Sequence, residues 1–236
     1  MTSSRSTADA PHLQPMGDSA FVVRFGDHIA VELHARVVGA LRALDEAREP
    51  WVVDLVPGYA SLMVIYDAAQ AAPEDVERWL GRTLSNARPE PPGRRVVEVP
   101  VLYHPSVGPD LEPLALEKGL TVEELIALHT APEYTVYMLG FRPGFPFLGG
   151  LDPRLHAPRL ATPRLAVPAG SVGIGGQQTG VYPSKSPGGW RLIGRTPMKL
   201  FSPEAESPFA LGVGDRVRFV GITEGQYEDL GGKEPT

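Results

Sequence analysis

The sequence contains no cysteine among its 236 residues, which excludes disulfides, thiolate metal sites and a cysteine nucleophile. Its six histidines include no close ligand pair, so neither a zinc enzyme nor a bound metal is expected. Positive charge is not in excess either: the formal net charge of -6 does not favour general binding to nucleic acid or anionic membranes. No run approaches the ~18 apolar residues of a membrane span, and the polar segment 1–11 has no signal-peptide core. A cytoplasmic globular protein is therefore predicted.

Glycine, proline and positive charge are concentrated between Gly140 and Leu200. This stretch holds 12 Gly and 9 Pro, and its eight lysines and arginines face a single acid, Asp152. Arginine offers planar bidentate donors, and glycine lets backbone N–H groups approach an anion. The stretch therefore predicts a pocket for a carboxylate or a phosphate. A solvated surface of paired charges is the alternative, although one acid makes local pairing scarce.

The first 90 residues predict a small α+β domain. Their apolar patterns indicate a strand, a helix, two strands joined at Pro57-Gly58 and a second helix that starts at Pro73, at 20–25, 29–48, 51–56, 61–66 and 73–84. The order β-α-β-β-α is that of a split β-α-β, ferredoxin-like layer, with a possible fourth strand at 96–101.

A second, mainly-β domain is predicted over residues 91–228, after a linker at Pro89–Gly93 and before a flexible tail at 229–236. A strand is expected first, at 95–103, followed by two short helices at 111–118 and 122–129, and Thr121 with Glu124 forms a capping box for the second helix. Short strands separated by turns then follow at 134–139, 166–175, 180–183, 190–194, 198–201 and 216–222. Many short strands with few helices indicate a closed or nearly closed β-barrel.

The segment GSVGIGGQQTG (170–180) fails the known glycine-rich motifs. It has no Lys-Ser/Thr after its last glycine, as a Walker A loop requires, and Gln178 stands where a dinucleotide motif needs glycine. Ser171 resembles a nucleophile elbow only loosely, because no helix is predicted after it. The glycines are therefore expected to serve β-turns and bulges. Three adjacent polar residues, Gln177 to Thr179, suit recognition of an amide or carbonyl, or else a solvated turn.

Two further residues are candidates for function. His129 ends a predicted helix, where its cation would meet the negative end of the helix dipole or where it could serve catalysis. Arg142 is the only charge in the segment GFRPGFPFLGG (140–150), whose three phenylalanines are expected to be core residues.

Several motifs together resemble the allophanate hydrolase subunit 1 family. They are GFRPGFPFLGGLD (140–152), the Pro-Arg pairs at 158–159 and 163–164, VPAGSVGIGGQQTGVYP (167–183) and SPGGWRLIGRTP (186–197), with GDSAFVVRFG (17–26) and VPGYASLMVIYD (56–67) in the N-terminal part. The family includes the B-type component of prokaryotic ATP-dependent 5-oxoprolinase and the kinase inhibitor KipI. The resemblance covers nearly the whole chain.

This resemblance implies a small α/β domain followed by a cyclophilin-like β-barrel. It also implies two partners, a subunit 2 (KipA-like) barrel protein and a LamB/YcsF-type subunit. The implied activity is cleavage of 5-oxoproline to glutamate with Mg-ATP, whose site is shared with the partner, so the chain alone is expected to be inactive. Two alternatives stay open: a KipI-like inhibitor of a sensor kinase, and the carboxyltransferase half of a biotin-dependent urea or amide carboxylase.

The resemblance brings no residue-level catalytic roles, so the predicted site is chosen from the motifs. A His before the YTVYMLGF strand agrees with the family pattern and supports His129. The predicted catalytic residues are His129, Arg142 and Lys185. The predicted substrate- or anion-binding residues are Arg159, Arg164, Ser171, Gly173, Gln177, Gln178, Thr179, Ser186, Gly188, Gly189 and Trp190.

Overall fold

The computed structural model describes residues 10–91, 93 and 95–232. The chain divides into two compact units, 1–92 and 93–236. The predicted linker contains Pro92, which lies outside the described residues. Within the described part of the chain, no helix combines the length and the apolar character needed to span a membrane.

The N-terminal unit is a four-stranded antiparallel sheet with two helices. Its elements are β1 (His12–Pro15), β2 (Ala20–Arg24), α1 (Val31–Glu46), β3 (Val52–Pro57), β4 (Ser61–Tyr66) and α2 (Pro73–Leu84). The strand order is β1-β2-β4-β3, so β4 lies between β2 and β3, and β2-α1-β3 is a split β-α-β unit. Alternation along β4 buries Leu62, Val64 and Tyr66 in the same core as Val37 and Leu44 of α1.

The segment 96–101, which the sequence offered as a possible fourth strand of this unit, does not join its sheet. The place beside β2 is taken by β1, a short polar strand ending in proline that gives little sequence signal. Residues 96–101 do form a strand, β5, but it pairs in parallel with β13 (Arg216–Gly221) inside the second unit.

The second unit is built on a seven-stranded, nearly closed sheet. Its strands run in the order β12-β9-β10-β7-β6-β13-β5. Besides β13, they are β5 (Val96–Val101), β6 (Tyr134–Leu139), β7 (Pro146–Gly149), β9 (Ser171–Gly175), β10 (Gln178–Val181) and β12 (Arg191–Arg195). Leu102 and Arg195 join the two edges by exchanging backbone hydrogen bonds of 2.9 and 3.0 Å. This barrel-like sheet confirms the mainly-β character predicted for the unit.

The remaining elements lie outside that sheet. They are α3 (Leu111–Lys118), α4 (Val122–Thr130), a 3-10 turn (Pro153–Leu155), the two-stranded ribbon of β8 (Arg164–Val167) and β11 (Ser186–Gly188), and α5 (Glu224–Asp229). The Thr121 and Glu124 capping box of α4 is present as predicted. One apolar core fills the barrel, with Val99, Tyr134, Ile174 and Phe219 among its buried residues.

Two local predictions differ from the structure. Strand 166–175 is interrupted by a turn at Gly170, whose φ of 82° breaks the pairing. Segment 198–201 contributes only an isolated bridge between Phe201 and Phe209, while β7 was not predicted. In the tail expected at 229–236, the backbone N–H groups of residues 230–232 bond back to α5. Residues 233–236 lie outside the described residues, and the flexibility of the tail stays a prediction.

Candidate functional site

The glycine-rich segment is a β-hairpin that accommodates Trp190. The indole is 4% exposed, and a Cβ on Gly175 would lie 2.6 Å from it. The same atom on Gly180 or Gly173 would lie 3.0 or 3.2 Å from the Trp190 side chain. Gly176, with φ of 66°, serves the turn of the hairpin, as Gly170 serves the turn before it. Close packing against the Trp190 side chain therefore explains three of the five glycines of this segment, in addition to the turn chemistry that was predicted.

His129 lies in the barrel interior, within a chain of hydrogen bonds. The Tyr103 hydroxyl is 2.7 Å from Nδ1 of His129, and Nε2 is 2.8 Å from the Thr179 hydroxyl. Thr179 donates its own proton to the Gly173 carbonyl at 3.0 Å, so its oxygen accepts from Nε2. The imidazole is thereby a neutral Nε2–H tautomer that accepts from Tyr103.

Burial makes this histidine a poor base. It has no exposed surface, its ring stacks on Phe219 at 4.6 Å, and desolvation lowers its pKa from 6.5 to about 3. Tyr134 also donates to the His129 carbonyl at 2.7 Å, which fixes the end of α4. A catalytic role for His129 stays a prediction, and it would require the interior chain of hydrogen bonds to open.

Arg159 and Arg164 lie near the Tyr182 hydroxyl, beside the β8–β11 ribbon, and together these three residues are called the cationic patch. Gly188 pairs with Arg164 across the ribbon, and a Cβ on Gly188 would lie 2.4 Å from the Tyr182 hydroxyl oxygen. Leu160, beside Arg159, donates its N–H to the Gly189 carbonyl at 2.7 Å. Burial raises the pKa of the Tyr182 phenol, while a hydrogen bond from the Trp190 backbone and the charges of Arg159 and Arg164 lower it by less. The hydroxyl is therefore protonated at neutral pH and lies close to two cations.

Arg164 is already engaged inside the protein. Its guanidinium bonds to the Asp110 carboxylate at 2.8 Å and to the Trp190 carbonyl at 3.4 Å. Asp110 is 7% exposed and also accepts the Leu192 N–H at 2.6 Å. Arg164 thus fastens the ribbon to the start of α3 and to β12.

Three of the eight cations form ion pairs, so pairing is more common than the single acid of the stretch indicated. Arg154 pairs with Asp152, Arg164 with Asp110 and Arg191 with Glu117. Two of these acids come from the α3 region, which is distant in sequence. Arg142, Arg159 and Lys185 are exposed and form no ion pair with any described residue.

Arg142 lies in a groove of its own. Residues 139–144 and Phe209 line a concave surface of about 430 Å³ in which Arg142 is the only charged residue. Phe141 contacts Tyr182 edge to face, with ring centroids 6.5 Å apart, so one aromatic contact connects the groove with the cationic patch.

Comparison with known proteins places the chain in a family. The carboxyltransferase domain family, subdomain C and D, matches residues 11–211. The B-type component of 5-oxoprolinase from Bacillus subtilis (strain 168) is 45% identical over 226 residues, covering 91% of this chain and 94% of that protein. The protein of the same name from Escherichia coli O157:H7 is 42% identical and covers 89% of this chain and 95% of its own length. The chain belongs to the carboxyltransferase domain family.

Several solved structures have a fold similar to that of this chain. TTHA0988 has a TM-score of 0.79 and 40% identity over 92% of this chain, which spans only 41% of the TTHA0988 chain. PH0987 from Pyrococcus horikoshii is 45% identical, with a TM-score of 0.55 over 92% of this chain and all of its own. The urea amidolyase of K. lactis, at 18% identity and a TM-score of 0.77, covers 97% of this chain and shares its fold; the match spans 16% of the amidolyase.

The predicted site residues fall into separate places in this family member. Arg159, Arg164, Gly188 and Trp190 lie near Tyr182, and Gly189 is bonded to Leu160 beside them. A second set is buried. His129 of α4 lies in the barrel interior, and the others belong to strands of the barrel or the ribbon: Ser171, Gly173, Gln178, Thr179 and Ser186. Arg142 lines the groove, and Lys185 and Gln177 are exposed, with Gln177 in the β9–β10 turn. Their roles stay predictions.

Sequence reasoning missed several residues that organise these places. Tyr182 was read only as part of a strand, and Phe141 as a core residue, although it is 61% exposed. Asp110 gave no signal, because its partner Arg164 lies 54 residues away. Tyr103 closes a predicted strand, so its contact with His129 depends on tertiary structure alone.

Proposed function

We propose that this chain is one subunit of an ATP-hydrolysing 5-oxoprolinase complex that opens 5-oxoproline to glutamate. The observation that carries the proposal is the set of three curated relatives, 40–45% identical over 89–91% of the chain, which are all named as the B-type component of 5-oxoprolinase. The alternatives, a kinase inhibitor and a carboxyltransferase half, have weaker support. None of these three relatives is named as a kinase inhibitor, and the likeness to urea amidolyase concerns the fold alone.

The chemistry needs positive charge and hydrogen-bond donors. A lactam resists water, and phosphorylation of its oxygen would make the carbonyl carbon susceptible to attack. Cations that face the transferred phosphoryl group lower the barrier by stabilising the developing charge. In this chain Arg159, which forms no ion pair with a described residue, and the protonated Tyr182 hydroxyl supply such groups next to Arg164.

The nucleotide is proposed to bind mainly to a partner protein. The glycine-rich hairpin does not fit a triphosphate, because its backbone groups are paired in the sheet and its Cα atoms pack on Trp190. Mg-ATP would therefore be shared with, or held by, a KipA-like subunit, with a LamB/YcsF-type protein as the third component. The chain alone is then inactive.

Finer features of the proposal follow the family resemblance. The nearly closed sheet, with its ribbon and helices outside, supports a cyclophilin-like barrel. The split β-α-β topology supports a ferredoxin-like N-terminal unit in which β1 replaces the C-terminal strand. The cytoplasm is proposed as the site of action.

Reconstitution tests this function. The chain is co-expressed with a KipA-like and a LamB/YcsF-type partner, and 5-oxoproline-dependent ADP release is measured for the full complex, for each subunit omitted and for the chain alone. Release only from the full complex is expected. A stable complex that releases no ADP in response to 5-oxoproline would refute the function, and substrate-dependent consumption of carboxybiotin would support the carboxyltransferase alternative.

A further inference from the structure

A strained turn at residues 140–142 points to a ligand-binding role for the groove. Phe141 has φ of 61°, and no other non-glycine residue in the described ranges has a positive φ. The Arg142 N–H donates to the Gly140 carbonyl at 2.6 Å, which closes a γ-turn around Phe141. A γ-turn with positive φ at its centre is rare, and it is costly for a bulky side chain.

The surroundings hold this conformation in place. Phe145 donates its N–H to the Arg142 carbonyl at 3.0 Å, and Gly140 donates to the Phe145 carbonyl at 3.1 Å. The Phe141 ring also meets the Phe145 ring edge to face at 5.6 Å. Strained residues persist where neighbours over-determine them, and they concentrate at functional sites. A glycine would form this turn without strain, so the benzyl group raises the energy of the turn and demands another explanation.

The groove beside this turn has the size and chemistry of a site for a small anion with an apolar body. The groove is largely open to solvent, with a volume of about 430 Å³, so a small ligand bound there would keep one side exposed. Phe141 and Phe209 leave 61% and 42% of their surface exposed at its edge. Arg142 supplies the only charge of the lining, and no described acid pairs with it. Arginine binds carboxylates through two parallel hydrogen bonds.

We propose that this groove binds the carboxylate and ring of the lactam acid, with Arg142 pairing the carboxylate and Phe141 and Phe209 covering the apolar ring. The identity of the ligand as 5-oxoproline rests on the proposed function, whereas the anion-plus-ring chemistry rests on the groove itself. Phe141 connects this groove to Tyr182, so the lactam end would face the side on which the cationic patch lies.

Three matched probes test the proposal on the assembled complex by calorimetry. These are 5-oxoproline, 2-pyrrolidinone, which keeps the lactam and lacks the carboxylate, and cyclopentanecarboxylate, which keeps ring and carboxylate and lacks the lactam. Arg142→Ala should weaken binding of the two acids about 10- to 150-fold and leave 2-pyrrolidinone unchanged. In turnover assays the same variant should raise KM and change kcat little, because the carboxylate takes no part in the opening of the amide bond.

Two further variants separate binding from folding. Phe141→Gly relieves the strained φ and removes the ring, so we expect an unchanged or higher Tm together with about 3- to 10-fold weaker binding. Arg154→Ala is the matched control, because Arg154 is an exposed arginine of the same unit whose guanidinium is bonded to Asp152. It should leave binding of all three probes unchanged.

The outcomes distinguish this proposal from the proposed function. If the wild-type complex turns over 5-oxoproline and Arg142→Ala, Arg142→Lys and Phe141→Gly all keep its KM, the groove proposal is overturned and the function stands. If the complex is inactive but binds cyclopentanecarboxylate in an Arg142-dependent way, the groove proposal stands and the function fails. Binding of neither acid, or a loss of Tm in Phe141→Gly without a loss of affinity, overturns the groove proposal.

Discussion

The Nε2–H of His129 donates to the hydroxyl of Thr179 across 2.8 Å in the barrel interior, where both side chains are fully buried. The two residues lie 50 positions apart and belong to α4 and β10. Because Thr179 passes its own proton to Gly173, this one contact fixes the helix, two strands and the histidine tautomer. A neutral imidazole is a requirement of this arrangement, and that requirement can be tested through pH.

Acidification should destabilise the protein through His129. Its pKa is about 3 in the fold and 6.5 unperturbed, so the unfolded chain binds the proton first. The stability contributed by the neutral imidazole is therefore complete above pH ~6.5 and is lost as pH falls toward 3, with a slope approaching about 1.4 kcal/mol per pH unit. Denaturant unfolding at several pH values between 7 and 4 measures this slope.

His129→Asn provides the comparison for that measurement. The variant keeps a polar group at the helix end but cannot titrate, so its free energy of unfolding should be lower at pH 7 and less dependent on pH. Parallel curves for wild type and variant would show that other groups cause the acid sensitivity.

Replacement of Gly180 by alanine should destabilise the second unit. The new Cβ would lie 2.7 Å from the Pro146 carbonyl oxygen and 3.0 Å from the Trp190 ring, and neither can move without disturbing the sheet. Overpacking of this kind costs about 1–3 kcal/mol. Gly81→Ala is the control, because Gly81 lies on an exposed face of α2 with nothing within 4 Å and should gain roughly 0.5–1 kcal/mol. Equal effects on the midpoint of thermal unfolding would contradict the packing argument.

Sequence alone predicts the elements whose signals are local. Pro73 at a helix start and the Thr121 capping box mark α2 and α4 correctly, because both signals act within one helical turn. Strand β1 was missed since a four-residue polar segment has no apolar alternation to detect. Segment 96–101 was recognised as a strand, yet its sheet could not be assigned, because pairing partners are set by tertiary structure.

In the candidate site, too, the sequence shows local features but not the contacts that tertiary structure sets. A cationic, glycine-rich stretch is visible in composition, and Arg159 and Arg164 do lie near one hydroxyl. Composition cannot show that Arg164 is neutralised by Asp110 or that Trp190 occupies the space above the glycines. Nothing in the sequence indicates the positive φ of Phe141, because glycine, not phenylalanine, is the residue that signals it.

Arg164 should prove to be a structural cation. Arg164→Ala leaves the buried Asp110 carboxylate without its ion pair, and we expect a loss of about 1–3 kcal/mol in the free energy of unfolding. The paired variant Asp110→Asn with Arg164→Ala should recover part of the loss, because no buried charge is then left alone. Chemical denaturation of Arg164→Ala, Asp110→Asn and the double variant measures the three losses of unfolding free energy. If the loss in the double variant equals the sum of the two single losses, the two side chains do not interact.

Tyr182 and Arg159 should behave as functional residues of the same patch. Tyr182→Phe removes only the hydroxyl and keeps the ring contact with Phe145, so the Tm should change little while the complex loses about 10-fold or more in kcat. Arg159→Ala should likewise preserve the Tm, since Arg159 forms no ion pair within the described residues. Tyr227→Phe, at a buried tyrosine of another cluster, is the control and should keep kcat.

Because burial raises the pKa of Tyr182 above its usual value of 10, the hydroxyl stays a donor and should add no alkaline limb below pH 10 to the rate profile. Unchanged kcat in both Tyr182→Phe and Arg159→Ala would show that the cationic patch takes no part in the reaction.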